Sequence, residues 1–230
     1  MVDIWNKFIQ FPRRCLFCGG TCDGRGAVSC CDDCHADLPW NTDACRRCAI
    51  PLEDDQEMCG RCLQTPPPFD AALCAFHYRF PINRLLVRLK FQAKLGYARE
   101  LGRLLAEEIA RRDVALPEAI LPVPLHPKRA RHRGFNQATE IARAVGAALG
   151  VPVVTHVCER RRDTSAQSSL TADARRRNIR DAFVARGPLP VRRWAIVDDV
   201  VTTGATAEAV ARALRATGAE SVLLWSAARA

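Results

Sequence analysis

Asp198 and Asp199 stand side by side in AIVDDVVTTGAT, residues 195–206, between an apolar run and a loop of small hydroxylic residues. Like charges at the end of a buried strand repel, so the pattern points to a ligand that satisfies both carboxylates. Thr202, Thr203, Gly204, Ala205 and Thr206 form the turn into a helix that begins near Ala205. The unpaired amides of a helix start, with the helix dipole behind them, attract an anion. Gly204 lets the backbone approach closely, and the threonine hydroxyls add donors. A phosphate on the loop, beside two vicinal hydroxyls on the carboxylates, describes a ribose 5-phosphate. Neither a Walker A loop nor a Rossmann glycine fingerprint occurs, which excludes those nucleotide sites.

Further basic residues suit a second phosphate group. Lys128, Arg129, Arg131 and Arg133 fall in the stretch HPKRARHRG, read as a loop after a proline-stopped apolar run, where they suit pyrophosphate or DNA contacts. Asn136 and Gln137 open the next helix and add neutral donors. Arg175, Arg176, Arg177 and Arg180 recur along a helical pattern that could face pyrophosphate or DNA. No general base is recognisable, so binding is better supported than catalysis.

Twelve cysteines are present, and ten of them precede residue 63. They include Cys15–Cys18, Cys31–Cys34, Cys45–Cys48 and Cys59–Cys62, each a C-x-x-C pair. One tight turn can present two thiolates to one ion, and tetrahedral zinc needs two such turns. The simplest pairing is sequential, with Cys15, Cys18, Cys31 and Cys34 on one zinc and Cys45, Cys48, Cys59 and Cys62 on another; a cross-braced pairing is the alternative. Cys22 and Cys30 are left as spare thiols. Such zinc substitutes for a core too small to form by itself. Arg46, Arg47 and Arg61 sit on the ribbon turns, where the competing reading is a nucleic-acid or partner surface.

IVDDVVTTGAT resembles the phosphoribosyl pyrophosphate (PRPP) signature of type I phosphoribosyltransferases. The resemblance implies that Asp198 and Asp199 hold the ribose hydroxyls at the catalytic centre, and that residues Asp198 to Thr206, Val200 and Val201 included, bind the ribose phosphate with Mg2+ bridging the pyrophosphate. Residues 160–167 resemble that family's mobile lid, with Arg162 and Gln167 as its contacts. PVPLHPKRARHRGFNQA and ADLPW, together with the cysteine pairs, are similar to the competence protein F (ComF) family over nearly the whole chain. Its members join a double zinc ribbon to a phosphoribosyltransferase-like domain. That resemblance implies handling of single-stranded DNA in natural transformation, with a helicase-like ATPase and the DNA-uptake channel as partners. The alternative is a phosphoribosyltransferase of nucleotide or related metabolism with no DNA role, its ribosyl acceptor unidentified.

These residues need a scaffold, and the hydrophobic pattern supplies one. Apolar runs at residues 69–80, 118–127, 151–159, 191–199 and 219–227 read as strands, alternating with amphipathic helices such as INRLLVRLKFQ and ATAEAVARALRATG. That order implies an α/β fold with a parallel sheet covered on both faces, whose ligands bind at the carboxyl ends of the strands. Three prolines in LQTPPPFD read as a semi-rigid spacer, so a zinc-ribbon domain is expected over 1–65 and the phosphoribosyltransferase-like domain over 66–230. The 230 residues are 48% apolar, enough for a core, and carry a net charge of +9 that favours phosphate-bearing partners. No apolar run spans a bilayer, and MVDIWNKFIQFPRRC lacks the order of a secretory signal, so a cytoplasmic protein is expected.

Overall fold

The computed structural model describes residues 13–22, 29–53, 56–112, 114–162 and 182–230. By compactness the chain divides into Met1–Leu38 and Pro39–Ala230. In the first unit β1 (Arg13–Arg14) pairs antiparallel with β2 (Thr21–Cys22), and α1 (Asp32–Ala36) follows. Cys15, Cys18, Cys31 and Cys34 converge, their sulfurs all within 4.8 Å of one another. Cys18 and Cys31 Sγ lie 3.7 Å apart. Sulfurs around a tetrahedral zinc with bonds of about 2.3 Å are separated by about 3.8 Å, so the quartet fits the metal. Burial disfavours the Cys15 thiolate, but backbone amides, among them those of Phe17 and Cys31, outweigh it and bring the pKa down to about 6.

The second quartet, Cys45, Cys48, Cys59 and Cys62, has the same form, with Cys48 and Cys59 Sγ 3.7 Å apart. Both quartets are grouped sequentially, and Cys22 and Cys30 join neither. The second ribbon ends in α2 (Gly60–Gln64) and belongs to the larger unit. Its backbone covers the edge of β3 (Ala71–His77): the Ala72 amide donates to Arg46 O at 3.0 Å, and the Asn41 amide to Ala75 O at 2.9 Å. A sheet edge left open would invite pairing with other chains, and the ribbon removes that opening. The proline stretch is fastened rather than free. Arg47 donates to Pro67 O at 3.2 Å and Asp70 O at 2.8 Å, Arg215 donates to Pro68 O at 3.4 Å, and Phe69 is buried. Carbonyls that join no helix or sheet still need donors, and these guanidiniums supply them.

After β3 come α3 (Ile82–Gln92), α4 (Leu95–Arg111), β4 (Ala119–Pro122), α5 (Pro127–Arg133) and α6 (Gln137–Leu149). Next are β5 (Cys158–Arg160), β6 (Phe183–Ala185), β7 (Arg193–Val201), α7 (Ala205–Ala216) and β8 (Ser221–Arg229). The sheet order is β3-β8-β7-β4, and every neighbouring pair is parallel. The expected α/β class with a parallel sheet is therefore what forms. One of the expected strands fails: residues 151–159 are not a single strand. Val153 bridges Ile120, the chain leaves the sheet at the exposed Thr155 and His156, and β5 pairs antiparallel with β6 instead.

Strand alternation divides the core. Trp194, Ile196, Val222 and Leu224 pack with Val210 and Leu214 of α7, while α4 and α6 pack together and against the sheet. Each large apolar side chain so buried contributes about 1.5–3 kcal/mol. Gly102 permits the α4–α6 approach, because a Cβ there would lie 2.6 Å from the Ala144 Cβ. Asp70 ties the unit at the opposite end from the site. Its carboxylate accepts from Arg215 at 2.6 Å, the Val222 amide at 2.8 Å and Ser221 Oγ at 3.1 Å.

Two outcomes test this scaffold. Asp70→Ala should lower the unfolding free energy by about 2 kcal/mol in urea titration, because it leaves Nη2 of Arg215 and the Val222 amide without their acceptor. Metal analysis of the purified chain should find about two zinc ions, as two four-thiolate sites require.

Candidate functional site

β7 lies in the interior of the sheet and continues two residues beyond the expected end at Asp199, because Val200 and Val201 pair with Ala228 and Arg229 of β8. Asp198 and Asp199 thus belong to the strand itself, near its carboxyl end. The Asp199 amide donates to Asp198 Oδ1 at 2.9 Å. Burial, followed by the neighbouring charge of Asp199, pushes the Asp198 carboxyl well above the usual carboxylate range. Asp199 has a cation: Lys90 Nζ of α3 approaches its Oδ2 at 3.2 Å.

The loop that follows turns on Gly204, whose φ of 80° is left-handed and suits glycine. Ala205 donates its amide to Thr203 Oγ1 at 3.3 Å, which tightens the turn into α7. Asp198 and residues 200–207 line a hollow of about 30 Å3 at the start of that helix. The loop carbonyls are held from other elements. Arg229, buried at the end of β8, donates to Val201 O at 3.1 Å and also to Thr202 O. Arg61 of the second ribbon reaches Thr203 O at 3.5 Å and Glu208 Oε1 at 2.9 Å. In a planar trans peptide the carbonyl and the next amide point in opposite directions. Holding the carbonyls of Val201, Thr202 and Thr203 therefore turns the amides of Thr202, Thr203 and Gly204 the other way.

The basic stretch is a helix rather than the expected loop. Pro127 suits the first helical position, His126 Nδ1 accepts from the Lys128 amide at 3.3 Å, and Gly134 closes α5 at φ 78°. Arg129 and Arg133 are half-buried one turn apart, whereas Lys128 and Arg131 are exposed. Burial lowers the Arg133 pKa and Asp199 opposes the shift, so this guanidinium lies within electrostatic reach of the acidic pair.

The structure thus brings Asp198, Asp199, the loop through Thr206 and Arg133 into one neighbourhood. Asn136 caps α6, accepting from the Ala138 amide at 3.1 Å and donating to Val123 O at 2.9 Å. Gln137 is buried in the first turn of the same helix. Arg162 is exposed just beyond β5. Gln167, Arg175, Arg176, Arg177 and Arg180 lie outside the described residues. Lys90 was not singled out from the sequence, where it is one more polar residue beside the core leucine Leu89.

A second surface was also missed. Phe80 is 67% exposed and Phe91 74% exposed. Phe91 recurs with Arg84, Val87 and Arg88 at helical spacing along the outer side of α3, opposite the buried Ile82, Leu85, Leu86 and Leu89, and Phe80 lies in the turn that precedes the helix. The signal was present in FPINRLLVRLKF, but the leucine stripe accounted for the helix by itself.

Comparison with known proteins places the chain. A family model described as "Double zinc ribbon domain" matches residues 9–63. Competence protein F of Haemophilus influenzae is 36% identical over 229 residues, covering 96% of this chain and 98% of that protein. DNA utilization protein YhgH of Escherichia coli K12 is 36% identical over 199 residues, covering 85% of this chain and 88% of its own length. Among solved structures, the glutamine PRPP amidotransferase of B. subtilis complexed with ADP and GMP overlaps at a TM-score of 0.39 and 20% identity. That overlap covers 56% of this chain and 26% of the other, and says nothing of activity. With over a third of residues identical along almost the full length of both proteins, this chain belongs to the competence protein F family.

Proposed function

We propose that this protein binds PRPP with Mg2+ at Asp198 to Thr206 and serves natural transformation by handling incoming single-stranded DNA in the cytoplasm. The observation that carries the PRPP reading is the acidic pair at the carboxyl end of an interior parallel strand, directly before the turn into α7. Ligands of such sheets lie at that end. A site for phosphate alone gains nothing from a carboxylate pair, but a ribose phosphate uses both halves.

In this reading Asp198 and Asp199 accept hydrogen bonds from the ribose hydroxyls, and the loop amides and threonine hydroxyls hold the 5-phosphate. Carboxylate oxygens are also the donors that Mg2+ takes. The metal, when bound with PRPP, would spread the charge of the pyrophosphate. Arg133 is the basic residue of α5 best placed for that end, with Lys128, Arg129 and Arg131 on the same short helix. Pentosyl transfer, breaking the ribose C1–O bond, is the reaction the arrangement suits, with the acceptor unassigned.

The DNA reading draws on the names of the relatives, a competence protein and a DNA utilization protein, and on one observation, the exposed stripe of α3. Exposed aromatic rings interleaved with guanidiniums are the means by which proteins hold single strands without reading sequence. Phe80 and Phe91 would stack bases, and Arg84 and Arg88 would follow the phosphates. Lys90, on the same helix, pairs with Asp199 instead. Partners in the uptake machinery, a helicase-like ATPase and the channel, belong to the same proposal.

PRPP with Mg2+ should raise the melting temperature, and Asp198→Asn with Asp199→Asn should abolish the rise; wild type unmoved at millimolar ligand sinks the PRPP reading. The free protein supplies a control for folding. With its pKa raised on folding, Asp198 makes the native state bind more protons than the unfolded chain. Stability should therefore fall as pH rises above the ordinary carboxylate range, and Asp198→Asn should flatten that decline.

For DNA, Phe80→Ala and Phe91→Ala should each weaken single-strand affinity at least about 5-fold, since a stacked base is worth about 1–3 kcal/mol. Neutralising Arg84 and Arg88 should reduce the salt dependence of binding. Unchanged affinity in all four variants would return the choice to a phosphoribosyltransferase with no DNA role.

A further inference from the structure

Of the three ribbon arginines, two serve the ribbon and its attachment. Arg46 pairs with Glu57 at 3.0 Å, and Arg47 fastens the proline stretch. Arg61 is different. Its guanidinium bridges Thr203 O, in the candidate phosphate loop, and Glu208 Oε1, in the first turn of α7. The Glu208 side chain is only 15% exposed, and its backbone amide donates to Gly204 O at 2.9 Å. One side chain thus touches the loop and, through Glu208, the helix start that closes it.

Arg61 owes its position to the second cysteine quartet. It lies between Cys59 and Cys62, two of the four converging sulfurs, on the five-residue helix α2. A helix that short cannot hold its own conformation, because nucleation costs more than so few hydrogen bonds return. The sulfurs on either side of Arg61 therefore determine where its backbone lies, and they are held together by the metal they fit.

We propose that Arg61 is a positioning residue that couples the second metal site to the phosphate loop. Zinc on Cys45, Cys48, Cys59 and Cys62 places the guanidinium, which pins the Thr203 carbonyl and the first turn of α7 and so keeps the loop amides turned toward the ligand. The coupling rests on the reading of residues 198–206 as a PRPP site. Binding linkage is reciprocal. If the ordered ribbon tightens PRPP binding, PRPP must in turn tighten the ribbon's hold on zinc.

The test uses the full-length zinc-loaded protein and two variants that break the bridge from opposite sides, Arg61→Ala and Glu208→Ala. Zinc content is measured for each, PRPP affinity by calorimetry with Mg2+ present, and zinc release to a zinc-selective chelator with and without PRPP. Wild type should bind PRPP and, at equilibrium with the chelator, give up less zinc when PRPP is bound. Both variants should keep wild-type zinc content, bind PRPP about 5- to 10-fold more weakly and lose the protection of zinc by PRPP, a coupling at the low end of the usual range. Arg61→Lys keeps the charge near Glu208 without the fork that reaches two acceptors, and should recover part of the affinity. A merely structural arginine would leave PRPP-dependent zinc retention untouched. If wild type binds PRPP and both variants match it in affinity and zinc protection, the coupling is wrong while the PRPP site stands. If wild type does not bind PRPP, the site reading fails and the coupling fails with it.

Discussion

Two adjacent carboxylates near the end of an interior β-strand are costly, since each loses water and each repels the other. Asp198 and Asp199 occupy that position, and much of the surrounding structure lowers the cost. The Asp199 amide turns back onto Asp198, Lys90 arrives from α3 to meet Asp199, and Arg133 stands within reach on α5. Even so, Asp198 keeps a raised pKa. Three separate elements hold the acidic pair, and the repulsion that folding imposed on it persists. The same two residues at a surface turn would be solvated and inert.

The loop after β7 is governed by the opposite concern, keeping donors pointed outward. Its carbonyls would compete for the same hollow if they were free to turn. Arg229 and Arg61 approach from β8 and α2 and hold them. Neither belongs to the loop or to its helix. Donor geometry at the site is thus set by side chains remote in sequence, and one of them is anchored in a cysteine ribbon. The ribbon is in this sense part of the larger unit's architecture. It covers the β3 edge, fastens the proline stretch and reaches the loop.

How much of this was legible beforehand depended on whether the information was local. The cysteine pairs announced their quartets, because a C-x-x-C turn presents two sulfurs whatever surrounds it. The strand–helix alternation announced a parallel sheet for the same reason: periodicity is a property of neighbouring residues. Residues 151–159 misled, because an apolar run records burial without recording the partner, and here the partner changes midway. The basic stretch misled because Arg and Lys count suggested a loop, while Pro127 and Gly134 were already the start and stop of a short helix. LQTPPPFD read as a spacer, since nothing local shows that Arg47 and Arg215 will bind its carbonyls.

The sequence by itself determined the chemical repertoire: thiolates in pairs, a carboxylate pair before a hydroxylic turn, and an excess of cations. These are short-range patterns, and chain connectivity carries them intact into any fold. Tertiary structure alone decided which cations serve which anions. Lys90 meets Asp199 across more than a hundred residues, and Arg61 meets Glu208 across a similar span. Such pairings depend on the order of strands in the sheet and on which faces the helices cover. Electrostatic and hydrogen-bond energies act through space over a few ångströms, and only the packed sheet determines which residues come that close.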